Sequence, residues 1–176
     1  MSITINGNGT ISGYTPVPNG SITAAKLASG AITASAMPSG TIIQYKYATM
    51  TGGDATYDSD NDSDVAGMSI AIAKTNASNL IVCQISFLPY LGGTGGLRFN
   101  LKIKRDSTEI YSAPYGIFRS GSVWKSSQAL IRKVDTGAND TSSHTYKFTV
   151  KREEGSDNTF FDASATHTIS AMEVAA

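Results

Sequence analysis

Residues 20–29, GSITAAKLAS, and residues 30–39, GAITASAMPS, align on one another, and GTI at 40–42 begins the pattern again. Glycine recurs at Gly20, Gly30 and Gly40, isoleucine at Ile22, Ile32 and Ile42, and Leu27 matches Met37. A fixed period means that each unit takes the same backbone shape, with Gly where the chain turns or approaches closely and the large apolar residues facing a shared interior. One chain cannot supply that interior. Burying Ile22, Leu27, Ile32 and Met37 contributes about 1.5–3 kcal/mol each, whereas every ordered residue costs about 1–2 kcal/mol of backbone entropy. Most residues of the segment carry no such side chain. Copies wound around one axis would add interchain hydrogen bonds and bury the alanines as well. The repeat therefore predicts a symmetric stalk over residues 20–40, with Ile22, Leu27, Ile32 and Met37 in its core. A flexible Gly/Ser/Ala linker has no use for isoleucine at every tenth position.

The segment ahead of the repeat has its own character. In SITINGNGTISG, Ile3, Ile5 and Ile11 flank the turn-forming pairs Asn6-Gly7 and Asn8-Gly9, which predicts a small β-hairpin. The prolines of YTPVPNG remove backbone donors and favour extended chain, making a joint to the stalk. Residues 1–19 thus form a separate N-terminal segment.

From residue 41 to 176 the pattern is short strands separated by polar turns. LRFNLKIKRD places Leu97, Phe99, Leu101 and Ile103 on one face and Arg98, Asn100, Lys102 and Lys104 on the other. HTYKFTVKRE repeats this, with Tyr146, Phe148 and Val150 inward against Lys147, Thr149 and Lys151 outward. NLIVCQISFLPYL is apolar enough for the middle of a sandwich. No window carries a sustained i, i+3, i+4 apolar stripe, so little helix is expected. The chain reads as all-β: an N-terminal hairpin and repetitive trimeric stalk followed by an antiparallel β-sandwich of the jelly-roll kind with about eight strands. In the closing strand, Ile169 and Ala171 lie on one face and Met172 and Val174 near the other. Cover on both faces predicts a subunit contact through Ile169, Ala171, Met172 and Val174.

Lys plus Arg and Asp plus Glu number 14 each, so no net field attracts nucleic acid or an anionic membrane. No stretch approaches the roughly 20 apolar residues of a membrane span, and MSITINGNGT lacks the basic and apolar regions of a signal peptide. Neither a nucleic-acid partner nor membrane insertion is expected. The lone Cys83 sits in an apolar run, where it acts as a small buried hydrophobe.

GSITAAKLASGAIT, MPSGTIIQYKYATM, VAGMSIAIAKTNASNLIVCQISF, LRFNLKIKRDSTEI and THTISAMEVAA together resemble the fibre proteins of tailed bacteriophages, notably those infecting marine bacteria and cyanobacteria. The resemblance implies a homotrimer on the virion, assembled in the host cytoplasm. Its N-terminus would attach to other virion proteins. Its C-terminal knob, a jelly roll similar to the tumour necrosis factor and C1q type, would face a bacterial surface glycan or protein. A capsid-decorating head fibre is the alternative role for the same architecture.

Covalent chemistry finds little support. The carboxylates Asp58, Asp60, Asp62 and Asp64 alternate as at the start of a calcium loop, but Ser63 and Ser69 stand where that loop needs Gly and a bidentate Glu. An acidic edge that blocks aggregation is the expected role, and no metal or other cofactor is implied. His144 and His167 lack any nucleophile-elbow GxSxG partner, so no catalytic residue is assigned. Tyr90, Tyr115, Phe118 and Trp124 fall in or near loops, and aromatic faces beside polar groups suit carbohydrate or protein contact. They are the candidate receptor contacts.

Overall fold

The computed structural model describes residues 4–5, 11–12, 37–51, 61–89, 97–119, 128–154, 161 and 165–176. The chain divides into two units, Met1–Thr33 and Ala34–Ala176. In the first, β1 (Thr4–Ile5) pairs antiparallel with β2 (Ile11–Ser12) through Thr4–Ser12 and Ile5–Ile11. The turn between them, and Ile22, Leu27 and Ile32 of the expected stalk, lie outside the described residues.

The second unit is built from β3 (Ile42–Thr51), β4 (Ser63–Ala73), β5 (Leu80–Phe87), β6 (Leu97–Arg105), β7 (Thr108–Arg119), β8 (Ala129–Asp135), β9 (Ser143–Glu154) and β10 (Thr166–Val174). A first sheet runs in the order β3-β10-β5-β8 and a second in the order β4-β9-β6-β7, every pairing antiparallel. Successive strands change sheet at every connection except the β6–β7 hairpin, which is the winding of a jelly roll. Among the described residues there is no helix.

Alternation decides which residues meet between the sheets. Phe99, Leu101 and Ile103 of β6 and Tyr146, Phe148 and Val150 of β9 are buried, and face Ile81, Cys83, Ile85 and Phe87 of β5 and Ile169 and Ala171 of β10. Phe148 packs on Phe87 with ring centres 5.2 Å apart and on Phe161 at 6.3 Å. Such offset and edge-on arrangements suit aromatic quadrupoles.

Two backbone irregularities shape the sandwich. Between Asp64 and Ser69 the β4–β9 register shifts, and Gly67 there takes φ +78°, a left-handed conformation with little cost only for glycine. Asp106 also lies at positive φ, 53°, in the two-residue turn of the β6–β7 hairpin. The exposed edge of β4 is not left open. Gln44 Nε2 and Lys46 Nζ of β3 donate to its Ala73 and Ala71 carbonyls at 2.6 and 2.9 Å. Strand edges invite further pairing, and these side chains occupy this one.

Candidate functional site

The strand directions give the sandwich two unlike ends. β3, β5, β7 and β9 run toward one end and β4, β6, β8 and β10 return. At the proximal end the chain enters β3, and Gly40 and Thr41 exchange backbone hydrogen bonds with Ala175 at 2.8 and 2.9 Å. Its other connections are the short segments 74–79, 106–107 and 136–142. The long connections 52–62, 88–96, 120–128 and 155–165 all depart from the opposite, distal end.

The proximal end is held by polar networks. Glu173, fully buried, accepts from Gln44 Nε2 at 2.6 Å, Thr75 N and Asn79 Nδ2 at 2.7 Å, and Thr75 Oγ1 at 2.9 Å. Burial pushes its carboxyl up, but the bonds from Asn79, Gln44 and Thr75 outweigh this and hold it below the ordinary value. The buried Lys74 ammonium donates to the carbonyls of Ala77, Asn79 and Ala138. Asp135 joins the sheets, accepting from Tyr146 Oη at 2.7 Å and from Arg105 Nη1 at 2.7 and 2.9 Å. His144 presents Nδ1 to Asp106 at 2.7 Å and Nε2 to Asp140 at 3.0 Å. Its pKa is raised, chiefly by the hydrogen bond to Asp106.

At the distal end, Leu88 N donates to His167 Nδ1 at 3.2 Å, which assigns the ring proton to Nε2, and the Phe161 ring lies 4.8 Å from that imidazole. Both histidines therefore hold backbone or carboxylate partners at opposite ends of the fold. Tyr90 and Trp124 belong to the distal connections and lie outside the described residues. Tyr115 and Phe118 lie within edge strand β7, where Phe118 pairs with Arg98, rather than in a loop.

The two outer faces differ sharply. On the second sheet, Asp62 meets Lys102 at 3.0 Å and Lys104 at 2.6 Å, Asp64 meets Lys147 at 2.6 Å, and Lys102 also reaches Glu109 at 3.0 Å. Two of the four carboxylates of the acidic run are thus spent on lysines of the same sheet; Asp58 and Asp60 lie outside the described residues. On the first sheet, the register lines up Tyr45, Met172, Val82 and Val134 across all four strands. The next row is Tyr47, Ser170, Gln84 and Arg132, and the next Thr49, Thr168, Ser86 and Leu130. Tyr45, Tyr47 and Leu130 are 55%, 65% and 63% exposed. Arg132 is the one charged residue in these rows.

The expected subunit-contact residues split between the two sides of β10. Ile169 and Ala171 have no exposed surface and lie in the core of the single chain, so they have none left to offer a neighbour. Met172 and Val174 are half-buried on the outward face. Met37, assigned to the stalk core, is 37% exposed just before the sandwich. Sequence reasoning missed Tyr45, Tyr47, Leu130, Arg132 and Val134. IIQYKY and ALIRKVD alternate, but with apolar residues on both sides, so the period does not reveal which side faces out. Burial pushes the thiol of Cys83 up to about 12, as its apolar setting implied.

No family model matches this chain, and no curated protein matches it. Among solved structures, PRD1 vertex protein P5 is similar at 12% identity and a TM-score of 0.43, over 77% of this chain and 99% of that one. The infectious bursal disease virus VP2 subviral particle gives 12% identity and 0.41, over 77% of this chain and 39% of that one. The dimeric latent PorU from Porphyromonas gingivalis gives 11% and 0.41, over 78% and 14%. Likenesses this distant assign no role.

Proposed function

We propose that this chain is a non-enzymatic structural protein of a virus particle, a homotrimeric tail fibre or spike. Residues 1–19 attach it to other virion proteins, residues 20–40 form the stalk, and the sandwich presents its distal end to a bacterial surface glycan or protein. The observation that carries this reading is the two-ended topology. The chain enters at one end, and every long connection, including those with Tyr90 and Trp124, departs from the other. Loops on a rigid sandwich tolerate the sequence variation that recognition demands. The ten-residue repeat supports a stalk shared between copies, and the resemblance to tailed-phage fibres supports three of them.

Competition for adsorption tests the proposal. Purified full-length chain should block attachment of the parent particle to its host, and Trp124→Ala or Tyr90→Ala should weaken the block without loss of fold by circular dichroism. A folded chain that leaves adsorption unchanged, together with antibody labelling over the head, would replace this reading with the capsid-decorating one.

A further inference from the structure

The outer faces of the two sheets carry opposite kinds of side chain. On the second sheet the corresponding surface carries Lys102, Lys104, Lys147, Asp62, Asp64 and Glu109 in ion pairs, the pattern of a surface kept in water. The first sheet instead turns Tyr45 and Tyr47 outward at one margin and Leu130 and Val134 at the other, with the half-buried Met172 and the buried Val82 and Ser170 between them. Large apolar side chains left exposed at the two margins of one face mark a contact surface.

Its two margins are complementary to each other. At the β3 margin, the Tyr45 and Tyr47 rings stack with centres 6.0 Å apart and planes inclined by 27°. At the β8 margin, Arg132 is exposed and makes no ion pair among the described residues. Aromatic faces and a guanidinium attract one another through the ring quadrupole. An isologous contact about a twofold axis running across the strands would instead bring like margins together and point the two copies in opposite directions. Both ends of the sandwich are already committed, one to chain entry and one to the long connections. An axis parallel to the strands leaves both ends free.

Rotation about such an axis preserves height, so residues of one cross-strand row face the same row in the next copy. Tyr47 and Arg132 share a row, as do Tyr45 and Val134. We infer that the copies join head-to-tail, the β8 margin of one against the β3 margin of the next, with Arg132 over the Tyr45–Tyr47 pair and Val134 beside Tyr45. About the threefold axis of the proposed homotrimer such heterologous contacts close into a ring. This rests on the homotrimer of the proposed function and assigns its knob contact to residues other than the buried Ile169 and Ala171.

Full-length chain carrying both Tyr47→Cys and Arg132→Cys, treated with a short bismaleimide, tests the geometry, since the buried Cys83 thiol stays silent. The double variant should give covalent dimers and trimers on a denaturing gel, and neither single variant should link. Linkage by Tyr47→Cys alone would overturn the head-to-tail arrangement. A second variant, Val134→Glu placed in the Tyr47→Cys/Arg132→Cys chain, should abolish the bismaleimide linkage while circular dichroism stays unchanged, whether or not the stalk still holds three chains together. Linkage that survives Val134→Glu undiminished would overturn this contact and leave the fibre reading standing. A wild-type monomer would overturn the homotrimer itself.

Discussion

Replacing Glu173 by Gln should cost the fold more than any exposed charge change, and the cost should depend on pH. The carboxylate has no exposed surface and accepts from Gln44, Asn79 and Thr75, binding β10 to β3 and to the 74–79 segment. Hydrogen bonds to a charged acceptor contribute about 1.5–3 kcal/mol each, roughly twice the neutral value. Glu173→Gln keeps one carbonyl oxygen but turns an amide donor toward other donors. Gln44 cannot simply flip to meet it, because its Nε2 also donates to the Ala73 carbonyl. Neutralising the retained bonds and losing one outright gives about 2–4 kcal/mol at pH 7. The folded carboxyl titrates below its ordinary value of 4.5, so the unfolded chain takes up the proton first as pH falls. The stabilisation is therefore present above pH 4.5 and is lost as pH falls through the folded value. Urea unfolding by circular dichroism, at fixed chain concentration and in steps from pH 7 downward, should show the gap between wild type and variant narrowing below pH 4.5. A gap under about 1 kcal/mol at pH 7, or one that ignores pH, would refute the reasoning.

Phe148→Ala removes a fully buried ring packed on Phe87 and Phe161 and should cost about 3–5 kcal/mol in the same unfolding assay. Cys83, with its thiol pushed up to about 12, should leave Ellman's reagent unreacted at pH 8 in the native protein and react in full after unfolding. Because the folded pKa of His144 is raised above 6.5, its contribution is complete below pH 6.5 and fades as pH rises through the folded value. Following the ring by NMR should show that value falling in Asp106→Asn; an unchanged titration would contradict the clamp.

The strands were legible where one face is apolar and the other charged. β6 and β9 place Phe99, Ile103, Tyr146 and Phe148 inward and Lys102, Lys104 and Lys147 outward, and a period of two needs nothing more. Legibility failed where both faces are partly apolar. In β10, Ile169 and Ala171 had to be separated from Met172 and Val174 by the sheet order, which depends on pairing with β3 and β5 far away in sequence. Glu173 reads as a surface residue until its donors are known, and Asn79 lies on a segment that only the fold brings near. Likewise Tyr45, Tyr47 and Arg132 gain meaning only when β3 and β8 become opposite margins of one sheet. The acidic run was legible as a polar edge, but the lysines that receive Asp62 and Asp64 were not.

Sedimentation equilibrium of the full-length chain at micromolar concentration and neutral pH tests most directly whether the outer face of the first sheet and the ten-residue repeat are shared between copies. The mass should be three times the 18.4 kDa of the chain. A single 18.4 kDa species, with its β-sheet circular dichroism intact, would contradict the account.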